Sequence, residues 1–205
     1  GNATTFKLFM DALNIPCKII HSTENGEHAW NVVQLDGEWY HVDVTFDGGT
    51  ASRAGYAYFN VPDSIKDDGN WPWDHSEIPA ANGTKYCYML NNATECDNLY
   101  QIPEAIKKAM DDNMGFAAVT LKDRTDFNRS VADFISNSMS MENGAVYFSN
   151  AYSLGGKTVY KFEINKWDDT DDQNIPPEVT EKLTAIIDRL NGEYSEDSEE
   201  FAEED

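Results

Sequence analysis

The sequence predicts an α+β protein: a helix packed on an antiparallel sheet, followed by a smaller β-α-β-α-β-β unit. Three observations carry this. The chain opens on a helical apolar stripe, continues into an alternating hairpin with a tight-turn dipeptide, and from Tyr86 onward intersperses short apolar runs with amphipathic segments.

Phe6, Phe9, Met10 and Leu13 recur at helical spacing, so the first element is a helix packing one face inward. Asn14-Ile15-Pro16 ends it, because a proline and the residue before it resist helical backbone. Cys17 to Ile20 then reads as a short buried strand. From His28 to Asp47 the chain reads HAWNVVQLDGEWYHVDVTFD, and Asp-Gly between two alternating runs is a strong type I′ hairpin signal. With Asp36-Gly37 as the loop, Leu35 faces Glu38, Trp30 faces Asp43 and His28 faces Thr45. One strand face then gathers His28, Trp30, Val32, Gln34, Trp39, His41, Asp43 and Thr45. The other carries Ala29, Asn31, Val33, Leu35, Tyr40, Val42 and Val44; it is the more apolar and is expected to face the core. Tyr56 to Asn60 is a further strand. An acidic, glycine-containing loop from Asp63 to Asn70 leads into Trp71-Pro72-Trp73-Asp74-His75.

In the second unit, strands are expected over Tyr86 to Leu90, Phe116 to Leu121, Ala145 to Tyr152 and Thr158 to Ile164, the last two joined by Gly155-Gly156. Helices are expected over Ile102 to Met110, with Pro103 in its tolerated first turn, and over Thr125 to Asn137. Pro176 to Leu190 reads as an amphipathic helix, and Glu193 to Asp205 as an acidic tail. The division is therefore 1–82, 83–167 and an acidic linker, helix and tail over 168–205.

The chemistry concentrates on the hairpin. His28 and Asp43 are diagonal neighbours, roughly 7–8 Å apart at the backbone and within side-chain reach. A histidine held by a carboxylate is the base half of a nucleophilic triad, because the carboxylate fixes the tautomer and favours the imidazolium. His41 shares this face and reads as an exposed strand residue or a support for Asp43. His21 and His75 read as structural or solvent-exposed.

The residues around the pair carry a resemblance. Gly1, Ala3, Phe6, Phe9-Met10, Ile15-Pro16-Cys17, His28-Ala29-Trp30-Asn31, Asp36-Gly37, Trp39-Tyr40, Val42-Asp43, Thr45-Phe46-Asp47 and Tyr56-Ala57-Tyr58-Phe59-Asn60 stand in order. Over residues 1 to about 80 the chain resembles the bacterial transglutaminase-like core, a branch of the papain-like cysteine hydrolase fold. The resemblance implies that His28 is the general base and Asp43 its orienting carboxylate. It implies a nucleophilic cysteine two places before the glycine that Gly1 matches, so the chain from Gly1 onward is expected to be inactive by itself. Cys17 matches a strand cysteine packed in the core, not the nucleophile. Trp30, Trp71 and Trp73 are the candidate substrate-binding residues, and the Trp71–His75 loop either roofs a cleft or packs over the sheet edge. The activity implied is thiol acyl transfer or peptidase chemistry on protein or peptide amide bonds, including cell-wall peptide. The alternative is a non-catalytic module that binds peptide or glycan at the cell surface.

Composition agrees with a surface-type protein. A net charge of −22 over 205 residues and a pI near 4.3 argue against nucleic acid and anionic membranes as partners. No apolar run approaches a membrane span, and an extracellular or cell-surface location is expected. No cofactor or metal is expected: the Asp168-Asp169-Asp171-Asp172 cluster lacks the glycine and terminal glutamate of an EF-hand loop. Cys17, Cys87 and Cys96 are an odd set; Cys87 and Cys96 either pair or stay free.

Overall fold

A computed structural model describes residues 1–24, 28–48, 55–67, 71–124, 126–139 and 144–166. The Asp168–Asp172 cluster, the helix expected over 176–190 and the acidic tail lie outside the described residues. The protein is α+β, with two mostly antiparallel four-stranded sheets and short helices.

Helix α1 (Asn2–Ala12) ends before Pro16, and β1 (Cys17–His21) follows. The first sheet is a meander ordered β1, β2 (Ala29–Leu35), β3 (Glu38–Val42) and β4 (Phe59–Val61). The hairpin register is the one expected, with Leu35 against Glu38 and Asn31 against Val42. Both turn residues are left-handed, Asp36 at φ 51° and Gly37 at φ 86°, as a type I′ turn requires.

The strand ends sooner than its β-branched residues suggest. Val44 and Thr45 belong not to β3 but to a helical turn, α2 (Val44–Asp47), because Asp43 acts as its N-cap and accepts from the Phe46 amide. A carboxylate at that position satisfies a helix-start N–H that the sheet would otherwise have to pair.

Both faces of the hairpin are buried, not one. Phe6 and Met10 of α1 join Cys17, Val33, Tyr40 and Val42 on one face. On the other, Ile20, Trp30 and Val32 pack against Trp73, Ile78 and Ala81 from the segment after the first sheet. The stretch expected as an acidic loop begins with the short helix α3 (Asp63–Lys66).

The second sheet is ordered β5 (Thr94–Cys96), β6 (Phe116–Leu121), β8 (Lys157–Lys166), β7 (Gly144–Leu154). Only β5 and β6 are parallel, joined through α5 (Ile102–Asp111). The order β-α-β-α-β-β holds, with α6 (Arg129–Ser138) before β7. Its first strand is Thr94–Cys96, whereas residues expected as a strand near Tyr86 form the helical turn α4 (Tyr88–Asn91). The buried side chains of Cys87 and Met89 are what gave that stretch its strand-like look. Cys17, Cys87 and Cys96 are all free and buried.

The two sheets share a core. Val61 and Ile65 pack with Cys87, Met89, Phe116, Leu154 and Val159 in one cluster. Gly83 sits where the chain passes over Tyr40, and a Cβ there would lie 2.6 Å from both Cε1 and Oη of that ring. Among the described residues, no helix is long and apolar enough to cross a membrane.

Candidate functional site

Three elements converge on Asp43. His28 lies just before β2, its carbonyl accepting from the Ser22 amide at 2.9 Å. Asp43 ends β3 and caps α2. Lys66 closes α3. The hairpin register brings His28 Nε2 to 2.7 Å from Asp43 Oδ2, with the histidine 8% exposed and the aspartate fully buried. The same oxygen accepts from Lys66 Nζ at 2.5 Å, while Oδ1 accepts from the Phe46 amide at 3.1 Å. Each carboxylate oxygen is thus committed, as burial of a charge demands.

The surroundings are aromatic. The His28 ring stacks on Phe46 with centroids 4.3 Å apart, and lies 4.9 Å from Trp71 and 5.6 Å from Trp30. Lys66 Nζ stands 4.0 Å above the Trp30 ring and within 5.3 Å of those of Phe46 and Tyr58. Cation–π attraction offsets part of the cost of dehydrating that ammonium. Burial still pulls Lys66 below the ordinary lysine value, with Asp43 opposing the shift. One turn on, Asp47 accepts from the Tyr58 amide at 2.9 Å, and burial pushes its carboxyl up to about 7.

Behind this cluster lies a second histidine–carboxylate pair. His41 is fully buried, which corrects the reading of it as an exposed strand residue. Nor does it support Asp43. Its Nδ1 accepts from Trp30 Nε1 at 3.0 Å, and its Nε2 meets Asp63 Oδ1 at 2.8 Å. Asp63 Oδ2 in turn accepts from the Ala81 amide at 3.0 Å. The chain of bonds fixes the rotation of the Trp30 ring, which faces both His28 and Lys66.

The tryptophans differ in what they can offer a ligand. Trp30 is fully buried and Trp73 nearly so, the latter against His75 at 4.0 Å between ring centroids. Trp71 is half-buried beside His28 and retains surface. The Trp71–Trp73 segment is tied down by Pro72, whose carbonyl accepts from the Thr23 amide at 2.8 Å. His21 is exposed, and His75 is 57% exposed beside Asp67.

The first turn of α1 also reaches this end of the sheet. Asn31 Nδ2 donates to the Ala3 carbonyl at 2.9 Å, and Asn2 Nδ2 lies 3.5 Å from Thr45 Oγ1. Cys17 is 3.6 Å from Asn31 Nδ2 and packs with α1; burial pushes its thiol up, which makes it a poor nucleophile.

With Nε2 facing Asp43, the other ring nitrogen of His28, Nδ1, is the one left to meet a ligand, and a neutral ring in this orientation holds its lone pair there. Sequence reasoning brought His28 and Asp43 together, as the structure does, and missed Lys66, which stands in an acidic stretch with no local signal. His41 did carry a signal, since strand alternation placed it on the face of Trp30. Among the described residues, no group of three or more His, Cys, Asp and Glu is placed to hold a metal ion. Compared with known proteins, the chain matches no protein-family model and no curated protein sequence.

Proposed function

We propose that this chain carries the base and carboxylate of a transglutaminase-like thiol acyl transferase or peptidase acting on amide bonds of proteins or peptides, cell-wall peptide among them. The observation that carries the reading is the buried 2.7 Å contact between His28 Nε2 and Asp43 Oδ2, placed at the end of the sheet that the first turn of α1 reaches. A thiol at the head of that helix would be aided by the helix dipole and by His28. Nδ1 of His28 would take the thiol proton as sulfur attacks the amide carbon, then pass it to the departing amine. The thioester left behind would be resolved by water, giving hydrolysis, or by a second amine, giving cross-linking. Trp71, the tryptophan with surface beside His28, is the residue suited to contact a substrate.

One observation favours a second reading, a non-catalytic peptide- or glycan-binding module at the cell surface. Lys66 already neutralises the carboxylate on which a triad depends. The test is to express the chain with its native preceding residues and identify the residue two places before Gly1. A cysteine there should be alkylated by iodoacetamide at neutral pH faster than in the same protein carrying His28→Ala. Equal labelling of the two proteins sinks the triad, and any other residue at that place supports the binding module.

A further inference from the structure

Asp43 Oδ2 has two donors, and they differ in charge behaviour. Lys66 Nζ approaches at 2.5 Å and His28 Nε2 at 2.7 Å. Lys66 is 2% exposed, and its ammonium is held over Trp30, Phe46 and Tyr58. A carboxylate that already balances a buried cation has little charge left with which to stabilise an imidazolium.

We infer that Lys66 governs the charge state of the histidine–carboxylate pair, holding His28 as the neutral Nε2–H imidazole by sharing Asp43 Oδ2 with it. Lys66 is a positioning residue in this scheme, since it acts on His28 through Asp43. The inference rests on the reading of His28 and Asp43 as an acid–base pair. It deepens that reading by specifying the resting form of the base: a neutral imidazole whose Nδ1 is open to draw the proton from a thiol brought to it.

Among the described residues, the charged and titratable groups near the pair are Asp43, Lys66 and Asp47, with His41 and its partner Asp63 beyond Lys66. Asp43 comes from the end of β3, Lys66 from α3 and Asp47 from α2; Lys161 of β8 acts on Asp47. The remaining walls, Phe46, Trp30 and Trp71, are uncharged. Lys66 is therefore the cation in direct contact with the carboxylate that His28 uses.

The experiment is nitrogen NMR of the histidine rings in the chain labelled with ¹⁵N-histidine. At pH 7 the wild-type His28 signals should be those of the neutral Nε2–H tautomer. Lys66→Gln keeps a donor but removes the charge, and should raise the His28 imidazolium population about tenfold. Lys66→Met, whose thioether suits an aromatic slot, should do the same. In the wild-type chain, the His28 Nε2 resonance should move as Lys66 loses its proton on raising the pH toward 10.5, the ordinary lysine value. A His28 signal unmoved in a folded Lys66 variant, or unmoved while Lys66 titrates, overturns the inference. Asp43→Asn separates the two ideas. If it leaves the His28 ring signals unchanged, the acid–base pair itself fails; if it shifts them and Lys66→Gln does not, only the role of Lys66 fails.

Discussion

Trp30 Nε1 donates to His41 Nδ1 at 3.0 Å across the β2–β3 ladder, with both side chains fully buried. The bond requires Nδ1 to stay unprotonated, so Nε2 carries the hydrogen that Asp63 accepts. Burial holds His41 below the ordinary histidine value of 6.5, with Asp63 opposing. In the unfolded chain the ring takes up a proton as pH falls through about 6.5, while in the folded chain it does so only at lower pH. This contribution is therefore present in full above the unfolded value and is lost as pH falls. Compared by chemical unfolding between about pH 5 and 8, the wild type should lose its stability advantage over His41→Gln on the acid side. His41→Leu should cost about 2–3 kcal/mol at neutral pH, because it strands the Trp30 N–H and one oxygen of Asp63.

Asp47 works in the opposite direction. Its carboxyl is pushed up to about 7 by burial from an ordinary 3.8. Between those values the unfolded chain has released the proton and the folded chain retains it, so stability falls as pH rises. Asp47→Asn keeps an acceptor for the Tyr58 amide and removes the charge. Its melting temperature should exceed that of the wild type at about pH 8 and match it at about pH 4. A variant equally displaced at both would show that the carboxyl does not titrate in this range.

Gly83 is needed for close approach rather than for a left-handed turn. A Cβ would sit 2.6 Å from Tyr40 Oη and Cε1, and Tyr40 is fully buried in the first sheet. Gly83→Ala should therefore destabilise by about 1–3 kcal/mol, and Gly83→Ala with Tyr40→Leu should recover part of the loss. Denaturant midpoints of the two variants check this directly.

The three cysteines should be silent in the native protein. Each is buried, and burial raises each thiol above its ordinary value. Ellman's reagent should detect almost none of them in the folded chain and all three in denaturant. Rapid native labelling of any one would contradict its placement. The same silence gives a clean background for detecting a cysteine supplied from before Gly1.

The hairpin was legible because its signals are local. Asp36-Gly37 sets the turn, alternation sets the register, and together they bring His28 to Asp43. The failures share a cause: tertiary partners outweighed short-range pattern. Val44 and Thr45 have strand-forming side chains, yet the Asp43 cap diverts them into a turn. The hairpin face with the histidines looked solvated, but Trp73, Ile78 and Ala81 return to cover it. Lys66 sits next to Asp67 and Asp68 in a stretch that reads as a surface loop. Only the folded chain reveals that its partner is 23 residues earlier, at Asp43.

Ile65 and Lys66 are consecutive. The first is embedded among residues of both sheets, the second in the carboxylate site. The two anchors leave almost no slack in α3, so a displacement of β6 or β8 against the first sheet would draw the ammonium from its carboxylate. The second sheet is then the foundation on which the Lys66–Asp43 pair is seated.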